Sequence, residues 1–223
     1  MSRLSILTTG LCVALTVFLA TTRNNGASAA TKLPDPFVDE LKAEKKGQER
    51  LVVAGGCFWG VQAVFEHVKG VSHVTAGYSG GTLKNPDYET VSSGSTGHAE
   101  SVEIVYDPSQ VTLGQLLKVF FSVAHDPTEL NRQGPDSGTQ YRSAIFFANS
   151  DQKRIAESYM EQLDGVKLFS RRIVTQIAPL TGFYHAEEYH QDYAEQHPDN
   201  PYIAKFDLPM VKHLQQEFPN LYH

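Results

Sequence analysis

The sequence predicts an α/β protein in which helices pack against a mixed β-sheet. Three observations lead to this prediction. Short apolar runs typical of buried strands alternate along the chain with amphipathic helical patterns. The 223 residues are enough for one domain with a substantial core. No internal repeat or low-complexity tract interrupts the alternation.

Residues 1–29 have the layout of a secretory signal peptide. Arg3 precedes an apolar run that ends with Leu11–Ala20, and the small residues Ala27–Ala29 follow as a cleavage site. We therefore expect export, to the periplasm or the medium, after cleavage. The apolar run is short for a membrane-spanning helix, so an uncleaved anchor that holds the protein at a membrane is the alternative.

The chain is acidic, with a formal net charge of −6 at pH 7. Removal of residues 1–29 takes away Arg3 and Arg23 and no acidic residue, which leaves 17 basic and 25 acidic residues and a charge of −8. This balance argues against nucleic acid or an anionic membrane as a partner. The two cysteines, Cys12 and Cys57, provide neither a disulfide framework nor a paired-cysteine metal site.

The first half of the mature chain predicts strand, helix and strand around a single cysteine. Residues 30–48 are expected to be a linker or an N-terminal arm, and residues 49–223 one domain. A strand at Arg50–Ala54 leads into a helix that starts at Cys57 and ends at Gly70. The elements expected next are a strand, a long polar loop and a strand, at Val71–Tyr78, 80–97 and Glu100–Tyr106.

The second half continues the alternation. Thr112 and Gln115 form a capping-box signature at the start of a helix. The elements expected after it are a second long loop at 125–142, a strand at Ser143–Phe147, a helix at Asp151–Leu163, a strand at Arg172–Ala178, a helix at His185–Gln196 and a last helix at Pro209–Phe218.

Cys57 is the candidate nucleophile. At the first turn of a helix its sulfur would face free backbone N–H groups and the positive end of the dipole, which favour the thiolate. A buried structural cysteine is the alternative. Gly55, Gly56 and Gly60 favour the reactive interpretation, since they permit a tight turn and a close approach to the sulfur.

Glu100 is the candidate acid. In the strand Glu100–Tyr106 it shares the face of Val102 and Ile104, whereas Glu103 lies on the other face. Burial on the apolar side would raise the pKa of this carboxyl and suit it to donate a proton. The alternative is a strand-end glutamate that reaches water.

The long loops and the start of the first helix provide further candidates. Tyr88, Tyr141 and Asp136 lie in the two loops, and the tyrosines are possible hydroxyl donors to a polar oxygen. Phe58 and Trp59 could form an apolar wall beside the thiol, although Phe58 also belongs to the apolar face of the helix.

Two rival functions use the same cysteine. A cysteine hydrolase would combine Cys57 with His98 or His185 and with Asp136. A non-catalytic metal or haem binder would combine Cys57 with a histidine, although no ligand spacing for a metal stands out among the nine histidines, so we expect no metal site.

Four blocks of sequence resemble peptide methionine sulfoxide reductase of the A type. They occur in the family's order and the resemblance extends from Leu51 to the C-terminus. The blocks are Gly-Gly-Cys-Phe-Trp-Gly at 55–60, Gly-His-Ala-Glu-Ser-Val-Glu-Ile at 97–104, the motifs His-Asp-Pro-Thr, Asn-Arg-Gln-Gly and Gly-Thr-Gln-Tyr-Arg-Ser within 125–143, and Tyr-His-Ala-Glu-Glu-Tyr-His-Gln at 184–191.

The resemblance implies a ferredoxin-like core and a catalytic domain that reduces methionine S-sulfoxide, free or in proteins, to methionine as a repair of oxidative damage. It implies Cys57 as nucleophile, Glu100 as the acid that protonates the sulfoxide oxygen, and Asp136 as a supporting carboxylate. Tyr88 and Tyr141 would donate hydroxyls to that oxygen. Phe58 and Trp59 would enclose the S-methyl group of the substrate, and Cys57 would end as a sulfenic acid.

The C-terminus departs from a common pattern in the family. Many members carry C-terminal cysteines that capture the sulfenic acid as a disulfide, but residues 198–223 contain none. We therefore expect no bound cofactor and an external thiol as reductant: a thioredoxin-like protein, a glutaredoxin with glutathione, or another thiol. The protein is expected to act as a monomer on oxidised proteins, peptides and free methionine sulfoxide.

Overall fold

The computed structural model describes residues 32–223. The predicted signal peptide at 1–29 lies outside the described residues. The strands are β1 (Glu49–Gly55), β2 (Val71–Ser79), β3 (Ala99–Tyr106), β4 (Arg132–Gln133), β5 (Asp136–Ser137), β6 (Ser143–Phe147), β7 (Gln176–Pro179) and β8 (Phe183–His185). The α-helices are α1 (Phe58–Glu66), α2 (Tyr88–Ser92), α3 (Leu113–Val119), α4 (Ser150–Val166), α5 (Tyr193–Gln196) and α6 (Leu208–Glu217).

The main sheet has six strands in the order β7-β6-β1-β3-β2-β8. Its four middle strands pair antiparallel, with α1 between β1 and β2 and α3 between β3 and β6. This order and these crossovers are those of the ferredoxin-like fold, which confirms the expected core. Strand β7 adds a parallel pair beside β6, which makes the sheet mixed, and β8 extends the other edge.

Strand β1 is buried on both faces. Leu51 and Val53 belong to the large cluster formed with α1, α3 and α4, whereas Val52 and Ala54 pack with Phe146 on the opposite face. An interior strand that is apolar on both faces is held in one register. The carboxyl end of β1 therefore presents the turn that follows it, with Cys57, at a fixed position.

Residues 32–48 form no helix or strand, but they are bound to two helices. The hydroxyl of Tyr159 in α4 donates to the carbonyl of Pro34 at 2.9 Å, and Lys118 in α3 pairs with Asp35 at 2.7 Å. Asp39 accepts the amide of Gly114 in the first turn of α3, where a carboxylate is favoured.

The elements after residue 170 differ most from expectation. The expected strand at 172–178 is observed at Gln176–Pro179, and the expected helix at 185–196 is divided into β8, a 3-10 turn and the short α5. The amide of Ala186 donates to the carbonyl of Ala76, so the edge of the sheet uses the backbone that a helix would need. Between residues 32 and 223, no helix is both long and apolar enough to span a bilayer.

Candidate active site

The turn between β1 and α1 positions Cys57. Gly56 has a φ of +97°, a left-handed conformation that favours glycine, and a Cβ there would lie 2.6 Å from the side chain of Gln133. Cys57 is the N-cap residue of α1 and is half-buried. Position and the need for glycine therefore match the sequence prediction, and Cys57 is the one cysteine in the described part of the chain.

The expected preference of Cys57 for the thiolate is wrong for the resting site. Burial raises the pKa of the Cys57 thiol well above its usual range, and the carboxylates of Glu100 and Asp207 raise it further. Desolvation and like charge outweigh the favourable helix N-terminus here. The thiol is therefore protonated before substrate arrives.

Glu100 lies under this turn, near the start of β3. Its Oε2 accepts the backbone amide of Phe58 at 3.1 Å, and the residue is only 2% exposed. Burial raises the pKa of Glu100 to about 8, against the opposing effect of the Phe58 hydrogen bond. Glu103, on the other face, instead pairs with Arg50 at 3.0 Å. Strand parity thus identified the buried acid.

Two tyrosines from the long loops lie near the acid. Tyr88 begins α2, and its amide donates to Oε1 of Glu187 at 2.8 Å. Tyr141 ends the 3-10 turn Thr139–Tyr141. Burial raises the pKa of both phenols, and the charge of Glu100 is the next cause for each, so both remain protonated donors.

The two aromatic residues after Cys57 have different environments. Phe58 is fully buried, with its ring 5.8 Å from that of Tyr78. Trp59 is half-buried and stacks on Tyr193 with ring centroids 4.0 Å apart. Its indole N–H donates to Nδ1 of His190 at 3.2 Å, so both aromatic neighbours fix the orientation of the indole.

Asp136 begins β5, the second strand of the small hairpin β4–β5. Its Oδ2 accepts a hydrogen bond from the hydroxyl of Tyr202. Both residues line a cavity of about 220 Å³ beside Cys57, together with Asp207 and Met210. The structure therefore brings Asp136 to the sulfur from one side, with a partner that comes from the C-terminal segment.

Sequence reasoning missed the residues that support the site from the C-terminal third. They are Glu187, His190, Tyr193, Tyr202 and Asp207. The density of tyrosines after residue 184 was the available signal. The sequence pattern instead assigns those within 185–196 to the expected helix. Nothing in the local sequence distinguishes Asp207 from an ordinary residue before a helix.

Neither rival constellation is assembled. The ring of His98 bonds the backbone of the loop, at Gly81 N (3.2 Å) and Leu83 O (2.8 Å), and His185 is exposed on β8. His125 lines the cavity, but it is bound to Phe120 O at 3.0 Å, and burial lowers its pKa to about 4. No cluster of metal-ligating side chains occurs between residues 32 and 223.

A family model and related sequences both place this chain with the peptide methionine sulfoxide reductases. The model of the peptide methionine sulfoxide reductase family matches residues 49–221. A peptide methionine sulfoxide reductase MsrA 2 of Mesorhizobium japonicum is 61% identical over 79% of this chain and 90% of its own, and one of Synechocystis is 50% identical over 83% and 88%. The hydrolase and metal-binder alternatives find no support.

Two solved structures share the fold. Methionine sulfoxide reductase A of Corynebacterium diphtheriae has 40% identity and a TM-score of 0.60, over 70% of this chain and 77% of that protein. Reduced Mxr1 of Saccharomyces cerevisiae has 31% identity and a TM-score of 0.63, over 74% and 92%. Glu100 contacts the turn that carries Cys57, and Tyr88 and Tyr141 lie near this acid. With the family match over residues 49–221, the chain belongs to the peptide methionine sulfoxide reductase family, A type.

Proposed function

We propose that Cys57 and Glu100 together carry out the reduction of methionine S-sulfoxide to methionine in this protein. The family gives the reaction, which is the thiol-dependent one of a peptide-methionine (S)-S-oxide reductase. The single observation that supports these residue roles is the hydrogen bond from Phe58 N to Glu100 at 3.1 Å. It links a buried acid to the turn that carries the only cysteine near it.

The protonation state of the resting site suits the first step. A sulfoxide oxygen that is lost as water needs two protons, and the raised pKa values of Cys57 and Glu100 leave one proton on each group. As the oxygen accepts the proton of Glu100, the sulfur of the substrate becomes electrophilic and Cys57 attacks it. This attack forms a bond between the two sulfurs as the S–O bond breaks, and the oxygen leaves as water with the protons of Glu100 and Cys57. A second water then attacks the sulfur of Cys57, which breaks the S–S bond, releases methionine, returns a proton to Glu100 and leaves Cys57 as a sulfenic acid. The substrate sulfur gains the two electrons that the Cys57 sulfur loses.

The remaining candidates orient the substrate. Tyr88 and Tyr141 remain protonated, so each can donate a hydrogen bond to the sulfoxide oxygen as negative charge develops on it. The indole of Trp59 offers a fixed apolar face to the S-methyl group. Phe58 supports this face from the core, and Asp136 supports the site through its bond with Tyr202.

The second half of the cycle needs an outside thiol. Cys57 is the only cysteine in residues 30–223, so these residues cannot form a disulfide among themselves. The proposed reductant is a thioredoxin-like protein, a glutaredoxin with glutathione, or another thiol, and the protein holds no cofactor. The proposed substrates are oxidised proteins, peptides and free methionine sulfoxide.

We also propose that the protein is exported and acts as a monomer without nucleic acid. The proposal rests on the layout of residues 1–29 and on the acidic charge. N-terminal sequencing of the exported form should begin near Ala30. An intact Met1 on the exported protein would contradict cleavage, and fractionation with the membrane would support the anchor.

Steady-state assays test the proposed function against a hydrolase. With an excess of thiol, methionine should form from the S-sulfoxide and not from the R-sulfoxide, with one equivalent of disulfide for each methionine. Cys57→Ser should abolish the reaction, because a hydroxyl cannot form the sulfenic acid. A hydrolase would instead cleave an ester or amide substrate, form no methionine from the sulfoxide and consume no thiol.

A further inference from the structure

Asp207 is a buried carboxyl without a complete set of hydrogen bonds. It ends the π-helical turn Ile203–Asp207 before α6 and is only 3% exposed. Its Oδ2 is buried and has no hydrogen-bond partner in the described structure. Buried polar atoms are nearly always paired. An unpaired carboxyl oxygen in the cavity beside Cys57 therefore marks Asp207 as a candidate for a role in the chemistry of this cysteine.

Close packing fixes Asp207 against the helix that Cys57 begins. A Cβ at residue 60 would lie 2.5 Å from Oδ1 of Asp207 and 3.2 Å from the sulfur of Met210, so only glycine in α1 leaves room for this carboxyl. Asp207 and Cys57 line the same cavity of about 220 Å³. Among carboxylates, Asp207 affects the pKa of Cys57 second only to Glu100, and more than Asp136 does.

The cavity approaches Cys57 from a different side than Glu100 does. Its lining includes Asp136, Tyr202 and Phe206 from the hairpin and the C-terminal segment, whereas Glu100 and Trp59 are not part of it. Phe206 and Met210 make part of the wall apolar. A thiol could therefore enter here and reach the sulfur of Cys57.

We propose that Asp207 is the general acid for the second half of the cycle, in which an external thiol entering this cavity reduces the sulfenic acid of Cys57. The proposal rests on the function proposed above and assigns a separate residue to its return step.

The step balances in atoms and electrons. A thiolate of the reductant attacks the sulfur of Cys57, an S–S bond forms and the S–O bond breaks. The oxygen leaves with the bonding pair, accepts the proton of Asp207 and departs as water. Cys57 is reduced from sulfenic acid to mixed disulfide, and the reductant is oxidised. A second thiolate then displaces Cys57 as a thiolate, which takes up a proton because its pKa is raised.

Electrostatics agrees with the geometry. Burial, with the charge of Asp136, raises the pKa of Asp207 to about 7. The titratable groups nearest to it are Asp136 from β5, Tyr202 from the C-terminal segment and Cys57 before α1. His125 and Asp126, after α3, line the same cavity. A carboxyl poised near neutral pH keeps its proton while a fraction of the reductant is thiolate.

A pH profile of the wild-type protein tests the proposal without any variant. Cys57 is first converted to the sulfenic acid by one turnover with the S-sulfoxide, and excess substrate is removed. 2-Mercaptoethanol is then added, and the remaining sulfenic acid is measured with a dimedone-type trap. The rate constant per thiolate should fall about tenfold for each pH unit above about 7. A rate per thiolate that is constant to pH 9 would overturn the proposal.

Two variants test whether Asp207 is the group that causes this pH dependence. Asp207→Asn should slow the return step by about 10²-fold and remove its dependence on pH above about 7, whereas the matched exposed control Asp199→Asn should do neither. Retention of the wild-type profile in Asp207→Asn would overturn the proposal. Methionine formation before the thiol is added counts folded sites, so loss of structure is not mistaken for loss of the acid. If that burst also fails in the wild type, the proposed function itself is wrong.

Discussion

The backbone amide of Phe58 donates a 3.1 Å hydrogen bond to Oε2 of Glu100, two sequence-distant residues that meet directly below Cys57. The bond joins the first residue of α1 to the start of β3. It holds the acid against the turn that carries the nucleophile. Burial then keeps the proton on this carboxyl near neutral pH.

Substitution of the acid should affect the chemical step. Glu100→Gln keeps an oxygen that accepts the Phe58 amide but loses the acidic proton, so we expect kcat to fall by about 10²–10⁴-fold with little change in KM. The matched control is Glu103→Gln, on the opposite face of the same strand, which should be near wild type. Equal losses in kcat and in substrate affinity would argue against an acid.

The pH dependence of the first half-reaction should reflect the same carboxyl. The protonated form of Glu100 donates, and burial raises its pKa to about 8, so the rate of methionine formation should fall as pH increases through about 8. Single-turnover rates between pH 6 and 10 measure this directly. In Glu100→Gln this fall in rate should disappear. If the rate still falls through pH 8, a group other than Glu100 is responsible.

The two hydroxyl donors should contribute separately. We expect Tyr88→Phe and Tyr141→Phe each to lower kcat by about 10–10²-fold, because each removes one hydrogen bond to the developing charge. Tyr189→Phe is the control, since Tyr189 is 62% exposed. If neither variant differs from this control, the tyrosines do not act on the sulfoxide oxygen.

Trp59 should act on binding. Trp59→Ala removes the apolar face that Tyr193 and His190 orient, and we expect KM for the S-sulfoxide to rise about tenfold or more. Trp59→Phe keeps a ring but loses the hydrogen bond to His190, and its KM should lie between those of wild type and alanine. A fall in kcat at unchanged KM would contradict a role in binding the methyl group.

Stability should also depend on the buried acid. Folding raises the pKa of Glu100 from its usual value to about 8, so the folded state retains a proton that the unfolded chain releases, and stability falls as pH rises from about 4.5 to 8. Glu100→Gln removes this contribution, whereas those of Glu66 and Asp207, whose pKa values burial also raises, remain. Denaturant titrations should therefore show the variant gaining stability relative to wild type as pH rises from 5 to 8, with Glu103→Gln showing no such trend.

The core of the fold could be read from local patterns because its elements satisfy them. Strand β1, helix α1 and strand β3 follow the period of their own apolar residues, and the capping box at Thr112 begins α3 as expected. The segment after Phe183 could not be read in this way. There, Gln191 binds the backbone of Ala76, and Asp192 adopts a φ of +52°, so tertiary contacts override a helical pattern.

In the candidate site, too, some features could be predicted from local sequence and others could not. Cys57 and Glu100 could be placed from one strand, one turn and the alternation of side chains. The direction of the Cys57 pKa could not be predicted, because it depends on burial and on the charges of Glu100 and of Asp207, a residue 150 positions away in the sequence. Likewise the partner of Asp136 is Tyr202, which reaches the site only through the path of the C-terminal segment.

Cys57 is the only thiol in residues 30–223, so the protein should complete one reduction, with Glu100 as the acid, and then stop. The direct measurement mixes the mature protein with excess methionine S-sulfoxide without reductant, and quantifies methionine and the trapped sulfenic acid by mass spectrometry. We expect about one equivalent of methionine per protein and the trap on Cys57. No methionine, continued turnover without a thiol, or a burst that leaves Cys57 unmodified would contradict the claim.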